Sequence, residues 1–265
     1  MNTPPFPIDE RALALQLAAT PGLDLGPAGH LVPLPTSPDL RDPHALRLHY
    51  DWVSANSPRY HLVAGPQVSI DFEKTTLFHS HFPDLAIRPI ALLPIPGSSV
   101  AVLEHFDGQP LEAALASNQL SIPDALSLLD RLIDRLDSNA APALPSELAQ
   151  DLDSLHEELF SSPLWGTLDL HFFDSTVFPF LHNAFSSVPL LRRWTNGDFI
   201  ARNILVNARH EVRLIDFEFA AQSSLAAADY FRFGEFSTLP PEINDHVCRR
   251  LPGDPRAWRL HFCLD

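Results

Sequence analysis

The sequence predicts an α+β fold in two parts, a small and mainly antiparallel β part followed by a mainly α-helical part. Two observations carry this prediction. In roughly the first hundred residues, short apolar runs alternate with turn segments such as SANSP and PIPGS, which is typical of strands joined by hairpins. In the rest of the chain, apolar residues recur at helical spacing. A chain of 265 residues is long enough for one large domain or for two lobes.

The first part is predicted to contain four strands and one helix. The strands are predicted at residues 30–34, 45–53, 60–64 and 99–104, and the helix at residues 69–81. The pattern then changes from strand-like to helical near Glu104 and Gly108. We therefore predict an N-terminal lobe of residues 1–105 and a C-terminal lobe of residues 106–265.

The second part opens with its best-defined helix, in SIPDALSLLDRLIDRLDS. Ser121 and Asp124 have the spacing of a capping box, and leucine and isoleucine residues follow at helical spacing. Further helices are predicted at residues 146–160 and 177–187, with a loop at residues 140–145. Asp254 and Pro255 open a last predicted helix, which runs to residue 265 without a stop signal. The sequence therefore leaves open the question of whether the C-terminal lobe is truncated.

Composition restricts the classes of partner. The formal net charge is −15, which disfavours nucleic acid and anionic membranes and is compatible with a cationic or metal-bound ligand. The two cysteines indicate no disulfide framework. The N-terminus lacks the pattern of a signal peptide, and no apolar run is long enough for a membrane span. We expect a cytoplasmic protein without a nucleic-acid partner.

Three oxygen-bearing side chains stand beside strand-like runs near the C-terminus. The runs ILVN and VRLIDF, separated by ARHE, predict a hairpin. Asn203 precedes the first run and Asp216 ends the second, so antiparallel pairing would bring both to the same end. Asp198 lies five residues before Asn203, on a loop that begins at Asn196 and Gly197. Phosphoryl transfer requires such a set, with one carboxylate as base and a carboxylate and an amide oxygen holding Mg²⁺. The alternative is an ordinary hairpin with polar ends.

The segments NGDFIARNILV and LIDFEFA resemble two motifs of the aminoglycoside phosphotransferase and choline/ethanolamine kinase group, H-G-D-x-x-x-x-N-[IV]-[LF] and I-D-[FW]-[EG]. The resemblance implies the bilobal protein-kinase-like fold and Mg²⁺-dependent transfer of the γ-phosphate of ATP or GTP to a small hydroxyl acceptor. It implies Asp198 as the catalytic base and Asn203 and Asp216 as the metal ligands. The supporting positions that it implies are Asn196, Glu218 and Asp229.

The resemblance extends more weakly upstream and covers roughly residues 60–236. VAVLEHFDGQPL resembles the strand and hinge at which backbone groups of the family meet adenine, which implies Glu104, His105 and Phe106 as nucleotide-binding residues. Glu73, in SIDFEKTTLF, stands where the small-lobe helix has its glutamate. The acidic composition makes a cationic or sugar-like acceptor plausible, but the sequence names no acceptor.

The sequence departs from the family in three places. Asn196 replaces the usual histidine. In RYHLVAGP, the position of the phosphate-binding lysine carries Val63 or Ala64, and Gly26 and Gly29 do not form a convincing glycine-rich phosphate loop. The sequence therefore keeps the catalytic and metal-binding motifs of the family but lacks the lysine and the glycine-rich loop that bind phosphate.

Two functions stay open as a result. The first is a small-molecule O-phosphotransferase, and the alternative is a catalytically impaired, kinase-like binding or regulatory module without phosphotransfer. Arg59, or Lys74 as the only lysine of the chain, could supply the missing cation. Either side chain lying beside Glu73 would favour catalysis.

Overall fold

The computed structural model describes residues 8–38, 46–161 and 166–264. The chain divides into two compact units, Met1–Asp107 and Gly108–Asp265. This division falls two residues beyond the predicted boundary between residues 105 and 106. Ala45 and Asp265, which end two of the predicted segments, lie outside the described residues.

In its described residues, the first unit consists of an antiparallel sheet and two helices. Its strand order is β1-β3-β4-β6-β5, with β2 paired to β3, and every pairing is antiparallel. The predicted strands and helix are all present, with ends shifted by up to three residues. The elements are α1 (Glu10–Ala19), β1 (His30–Pro33), β2 (Ser37–Pro38), β3 (Leu46–Ser54), β4 (Ser57–Gly65), α2 (Val68–His81), β5 (Pro89–Ile95) and β6 (Ser98–Glu104).

The two faces of this sheet have different partners because side chains alternate along each strand. One face is the apolar core of the unit, in which Leu62 and Ala64 of β4 pack with Leu13 and Leu17 of α1. The opposite face carries polar residues. There Arg47 of β3 forms an ion pair of 3.2 Å with Asp71 of α2, and both side chains are mostly buried.

A chain of four polar side chains lies on that second face. Ser37 Oγ is 2.9 Å from His49 Nε2, His49 Nδ1 is 3.3 Å from His61 Nε2, and His61 Nδ1 is 3.0 Å from the carboxylate of Asp51. Burial, followed by the charges of His61 and Arg47, lowers the pKa of His49 to about 4. His49 is therefore neutral in the folded protein at pH 5, where an exposed histidine is protonated.

We expect the protein to lose stability between pH 7 and pH 5 through His49. The folded-state pKa of about 4 lies below the unfolded value of 6.5, so the unfolded chain binds more protons than the folded protein in this window. Lowering the pH therefore favours the unfolded state and decreases the free energy of unfolding. The expected loss from this residue is about 1–2 kcal/mol. Urea unfolding of wild type and His49→Gln at both pH values would measure it, with His30→Gln at an exposed position of β1 as the control. Equal pH dependence in wild type and His49→Gln would contradict this assignment.

The second unit is mainly helical and contains two small sheets of order β11-β10-β7 and β12-β9-β8. Its elements are β7 (Gly108–Pro110), α3 (Leu111–Ala116), α4 (Ile122–Asp137), β8 (Ala141–Pro142), α5 (Pro145–Ser161), α6 (Thr167–Phe172), a π-helical turn (Phe173–Val177), α7 (Phe178–Ser186), β9 (Leu191–Thr195), a 3₁₀ turn (Ala201–Asn203), β10 (Ile204–Asn207), β11 (Val212–Leu214), β12 (Ala221–Ser223), α8 (Ala228–Phe236), α9 (Pro241–Cys248) and α10 (Pro255–Leu264).

Two helices of the second unit, α4 and α10, begin where the capping signals predict. Ser121 caps α4 by accepting a hydrogen bond from the backbone N–H of Asp124 at 3.3 Å. A core that includes Leu152, Leu181 and Trp258 joins α5, α7 and α10. One prediction needs correction, because the loop predicted at residues 140–145 contains β8, which pairs with β9. Among the described residues, no helix combines the length and apolarity that crossing a membrane requires.

Candidate functional site

The predicted hairpin is confirmed and forms the base of the candidate site in the second unit. Strands β10 and β11 pair antiparallel, with Ile204 opposite Leu214. Asn203 ends the 3₁₀ turn immediately before β10, and its carbonyl accepts a hydrogen bond of 3.1 Å from the N–H of Ile215. This bond ties Asn203 to the segment that leads into Asp216.

Asp198 and Asn203 are in direct contact. Asn203 Nδ2 donates to the Asp198 carboxylate at 2.8 Å and to the Asp198 carbonyl at 2.9 Å. Both residues are largely buried, with exposed fractions of 9% for Asp198 and 5% for Asn203. Because the amide nitrogen is engaged by Asp198, the amide oxygen is the group with which Asn203 can meet a cation.

Asn196 connects the loop of Asp198 to the segment of Asp216. Its side-chain nitrogen donates to the carbonyls of Ile215 and Asp216 at 3.3 and 3.2 Å. Its side-chain oxygen accepts from the N–H of Asp198 at 3.2 Å. Asn196 is fully buried, and its side chain makes three hydrogen bonds that fix both segments.

Asp229 of α8 holds the start of the same loop. Its carboxylate accepts hydrogen bonds from the N–H groups of Asn196 and Gly197 at 3.1 and 3.2 Å. Burial raises the pKa of Asp229, while the charge of Arg193 opposes the rise. Gly197 has a φ of +79°, and a Cβ there would lie 2.4 Å from the carbonyl oxygen of Phe219, so this turn requires glycine.

Arg193 is a buried charge that the sequence did not single out. Its Nε lies 2.9 Å from an oxygen of Asp137, its Nη2 donates to the carbonyl of Ala226 at 3.0 Å, and its guanidinium covers the ring of Tyr230 at 4.7 Å. Tyr230 also donates to Asp137 at 3.1 Å. Burial raises the pKa of Tyr230. This cluster anchors α4 and α8 behind the Asp198 loop.

Two further arginines lie beside Asp198 and were also missed. Arg202 Nη2 is 3.7 Å from one carboxylate oxygen, and Arg232 Nη1 is 3.8 Å from the other. Arg202 is four residues from Asp198, whereas Arg232 belongs to α8. The predicted base therefore lies in a locally positive environment, although the chain as a whole is acidic.

Asp216 has a left-handed backbone, with a φ of +61°. An aspartate in this region marks a sharp turn of the kind found at functional sites. Its carboxylate and the amide oxygen of Asn203 are hard oxygen donors that fit Mg²⁺, which binds few protein ligands and completes its shell with water and phosphate oxygens. The described residues contain no group of three His, Cys, Asp or Glu side chains able to hold a metal ion. Glu218, two residues after Asp216, is buried.

The other predicted nucleotide-binding residues belong to the first unit. Glu104 ends β6, and its carboxylate accepts from the N–H of Arg88 at 2.9 Å. The N–H of His105 donates to the carbonyl of Arg59 at 3.3 Å, and Phe106 follows in a partly buried position.

Glu73 is exposed on α2. The acidic residue of α2 that pairs with a cation of the sheet is Asp71, two positions earlier, and its partner is Arg47. Val63 pairs across the strands with His49, and His49 lies on the same face of β3 as Arg47, so Val63 and Arg47 share one face of the sheet. The two candidate positions for the missing lysine therefore lie on opposite faces. Val63 faces the side of α2, and Ala64 belongs to the core on the other side.

Arg59 does not lie beside Glu73. Its guanidinium forms an ion pair of 2.6 Å with Asp24. Gly26 and Gly29 come before β1, and they lie against the side chains of Ser54 and Trp52 of β3, which a Cβ at either glycine would meet. These glycines serve close packing on the sheet.

Comparison with known proteins identifies the fold. No family model and no curated protein matches the sequence. The solved structure of an aminoglycoside-3'-phosphotransferase of type VIII aligns with a TM-score of 0.55 and 14% identity over 96% of this chain and 97% of that one. An ADP-bound aminoglycoside phosphotransferase aligns with a TM-score of 0.55 and 14% identity over 91% and 81%. The choline kinase from Streptococcus pneumoniae aligns with a TM-score of 0.53 and 13% identity over 96% and 86%. The resemblance is therefore confirmed for the fold, and the chain has the bilobal protein-kinase-like fold that aminoglycoside phosphotransferases and choline kinases share.

Proposed function

We propose that this protein is a Mg²⁺-dependent small-molecule O-phosphotransferase that moves the γ-phosphate of ATP or GTP to a hydroxyl acceptor. The observation that carries the proposal is the hydrogen-bonded network in which Asn203 contacts Asp198 while Asn196 and Asp229 fix the loop. Burying polar groups is unfavourable unless they are hydrogen-bonded, and these bonds hold the Asp198 carboxylate beside the Asn203 amide. That arrangement supports a role in phosphoryl transfer, which uses a carboxylate base and an amide oxygen as metal ligand. The fold shared with known phosphotransferases supports the same proposal.

In this reaction Asp198 orients the acceptor hydroxyl and accepts its proton. The hydroxyl oxygen attacks the γ-phosphorus, and the bond between that phosphorus and the β-phosphate oxygen breaks, which releases the nucleoside diphosphate. Asn203 and Asp216 would hold Mg²⁺, which when bound would neutralise phosphate charge. Asn196, Glu218 and Asp229 support these residues. The acceptor is a small molecule, and we place the reaction in the cytoplasm.

We further propose that residues 1–105 form the nucleotide side and residues 106–265 the catalytic and acceptor side. Glu73 and the hinge residues Glu104, His105 and Phe106 would bind the nucleotide. The ADP-bound structure of one neighbour of the same fold supports a nucleotide as the donor.

The alternative, a kinase-like binding or regulatory module without phosphotransfer, is favoured by one feature of the sheet. The position expected to grip phosphate carries Val63, and the nearby Arg59 is engaged by Asp24 in an ion pair. A module of this kind could keep the network of Asp198 for stability alone. Nucleotide binding that depends on Mg²⁺ separates the two proposals.

The deciding experiment is a thermal-shift titration with ATP and with GTP, each with and without Mg²⁺. We expect a rise in Tm that requires both nucleotide and Mg²⁺, because a ligand at 100 times its Kd stabilises the folded state by about 2.7 kcal/mol. Asp216→Asn should remove most of the Mg²⁺-dependent rise, and Asp153→Asn, at an exposed position of α5, should not. Absence of any shift at millimolar nucleotide would favour the non-catalytic module.

A further inference from the structure

The carboxylate of Asp198 is flanked by a guanidinium group at each oxygen. Arg202 approaches one oxygen at 3.7 Å and Arg232 approaches the other at 3.8 Å. Both separations are longer than the roughly 2.7–2.9 Å of a charge-assisted hydrogen bond. The two guanidinium groups therefore lie beside Asp198 at ion-pair separation, next to the place where an anion bound beside Asp198 would lie.

Arg232 is the better-positioned of the two. Its side chain is 19% exposed, against 63% for Arg202. Its guanidinium lies 5.3 Å from the centre of the Phe262 ring, so α10 supports it from behind. Arg232 also contributes a positive charge at Asp229, which opposes the rise in the pKa of that carboxyl group. The side chain is thus held at the site before any ligand arrives.

The chemistry of phosphoryl transfer places negative charge within reach of these arginines. An acceptor hydroxyl bound to Asp198 lies about 2.7 Å from the carboxylate, and the phosphorus approaches that hydroxyl to about 3–3.5 Å. In the transition state the charge is spread over three equatorial oxygens of the transferring group. Cations less than 4 Å from the Asp198 oxygens are therefore close enough to contact those oxygens.

The sheet of the first unit does not supply this charge from the expected strand position. Val63 occupies that position, and the only lysine of the chain is Lys74 on α2. We propose that Arg232, assisted by Arg202, binds the transferring phosphoryl group and provides positive charge that the strand position lacks. This inference rests on the proposed phosphotransferase function. The arginines form and break no covalent bond, and Asp198 still takes the proton of the acceptor hydroxyl.

The inference is tested by calorimetric titration with Mg²⁺ and ADP, in the absence and presence of aluminium fluoride. Aluminium fluoride mimics the transferring phosphoryl group, whereas ADP alone does not. We expect aluminium fluoride to tighten ADP binding to the wild type by at least about tenfold, and Arg232→Met to lose most of that gain while its affinity for ADP alone changes by less than about twofold. Arg232→Lys should retain part of the gain, because it keeps the charge but not the planar fork.

The control is Arg259→Met, since Arg259 lies on the neighbouring α10, is 66% exposed and pairs with Glu235. It should bind both ligands like the wild type. Arg202→Met provides a second variant at a position exposed enough to tolerate the change, and we expect it to lose a smaller part of the gain. If Arg232→Met and Arg202→Met both bind the complex with aluminium fluoride as tightly as the wild type, the inference is wrong and the function can stand. If the wild type does not bind ADP in the presence of Mg²⁺, the proposed function fails and the inference fails with it.

Discussion

Replacing Asp198 with asparagine is expected to lower phosphotransfer by about a thousandfold, within the 10²–10⁴-fold that general base catalysis contributes. Asparagine keeps the shape of the side chain, and its oxygen can still accept the hydrogen bond that Asn203 donates at 2.8 Å in the wild type. It cannot take a proton from an acceptor hydroxyl. The fold should therefore survive while turnover is lost. Release of ADP during turnover with a hydroxyl acceptor measures the effect.

The specificity of this effect is established by a matched change elsewhere. Asp153→Asn replaces an exposed aspartate of α5, and its turnover should equal that of the wild type within about twofold because surface substitutions are usually neutral. Far-UV circular dichroism and Tm check that Asp198→Asn is folded. Turnover close to wild type in a folded Asp198→Asn protein would rule out Asp198 as the base.

Local signals in the sequence were sufficient for the hairpin and the best-defined helix. The apolar runs before and after ARHE predict β10 and β11, and the structure pairs them with Ile204 opposite Leu214. Ser121 predicts the start of α4, where its hydroxyl accepts from Asp124. Both features depend on residues only a few positions apart, so spacing alone determines them.

Elements with weak local signals were missed. The strand β5 (Pro89–Ile95) contains prolines at positions 89 and 94, which argue against a strand when read alone, although it lies at the edge of its sheet, where proline is tolerated. The helix α1 (Glu10–Ala19) follows a proline-rich start, and its burial depends on Leu13 and Leu17 packing against the sheet. The strand β8 has two residues and exists only through pairing with β9.

Contacts between residues far apart in the chain could not be predicted from the sequence. The pairing of Arg47 with Asp71 depends on which face of β3 meets α2, and no local spacing indicates it. The approach of Arg232 to Asp198 joins residues 34 positions apart and depends on how α8 packs behind the loop. Spacing gave the site its catalytic and metal-binding candidates, but the charges around them are set by tertiary packing.

Replacing Asp229 with alanine is expected to lower the free energy of unfolding by about 2–4 kcal/mol, because buried donors lose their acceptor and a cavity remains. The N–H groups of Asn196 and Gly197 both donate to this carboxylate, and Asp229 is 3% exposed, so water cannot easily replace it. Urea unfolding measures the change, and Asp153→Ala at an exposed position should alter stability by less than about 0.5 kcal/mol. Since the same two N–H groups begin the loop of Asp198, Asp229→Ala should also weaken Mg²⁺-dependent nucleotide binding under conditions where it remains folded. A stable variant with unchanged nucleotide binding would show that the loop keeps its conformation without Asp229.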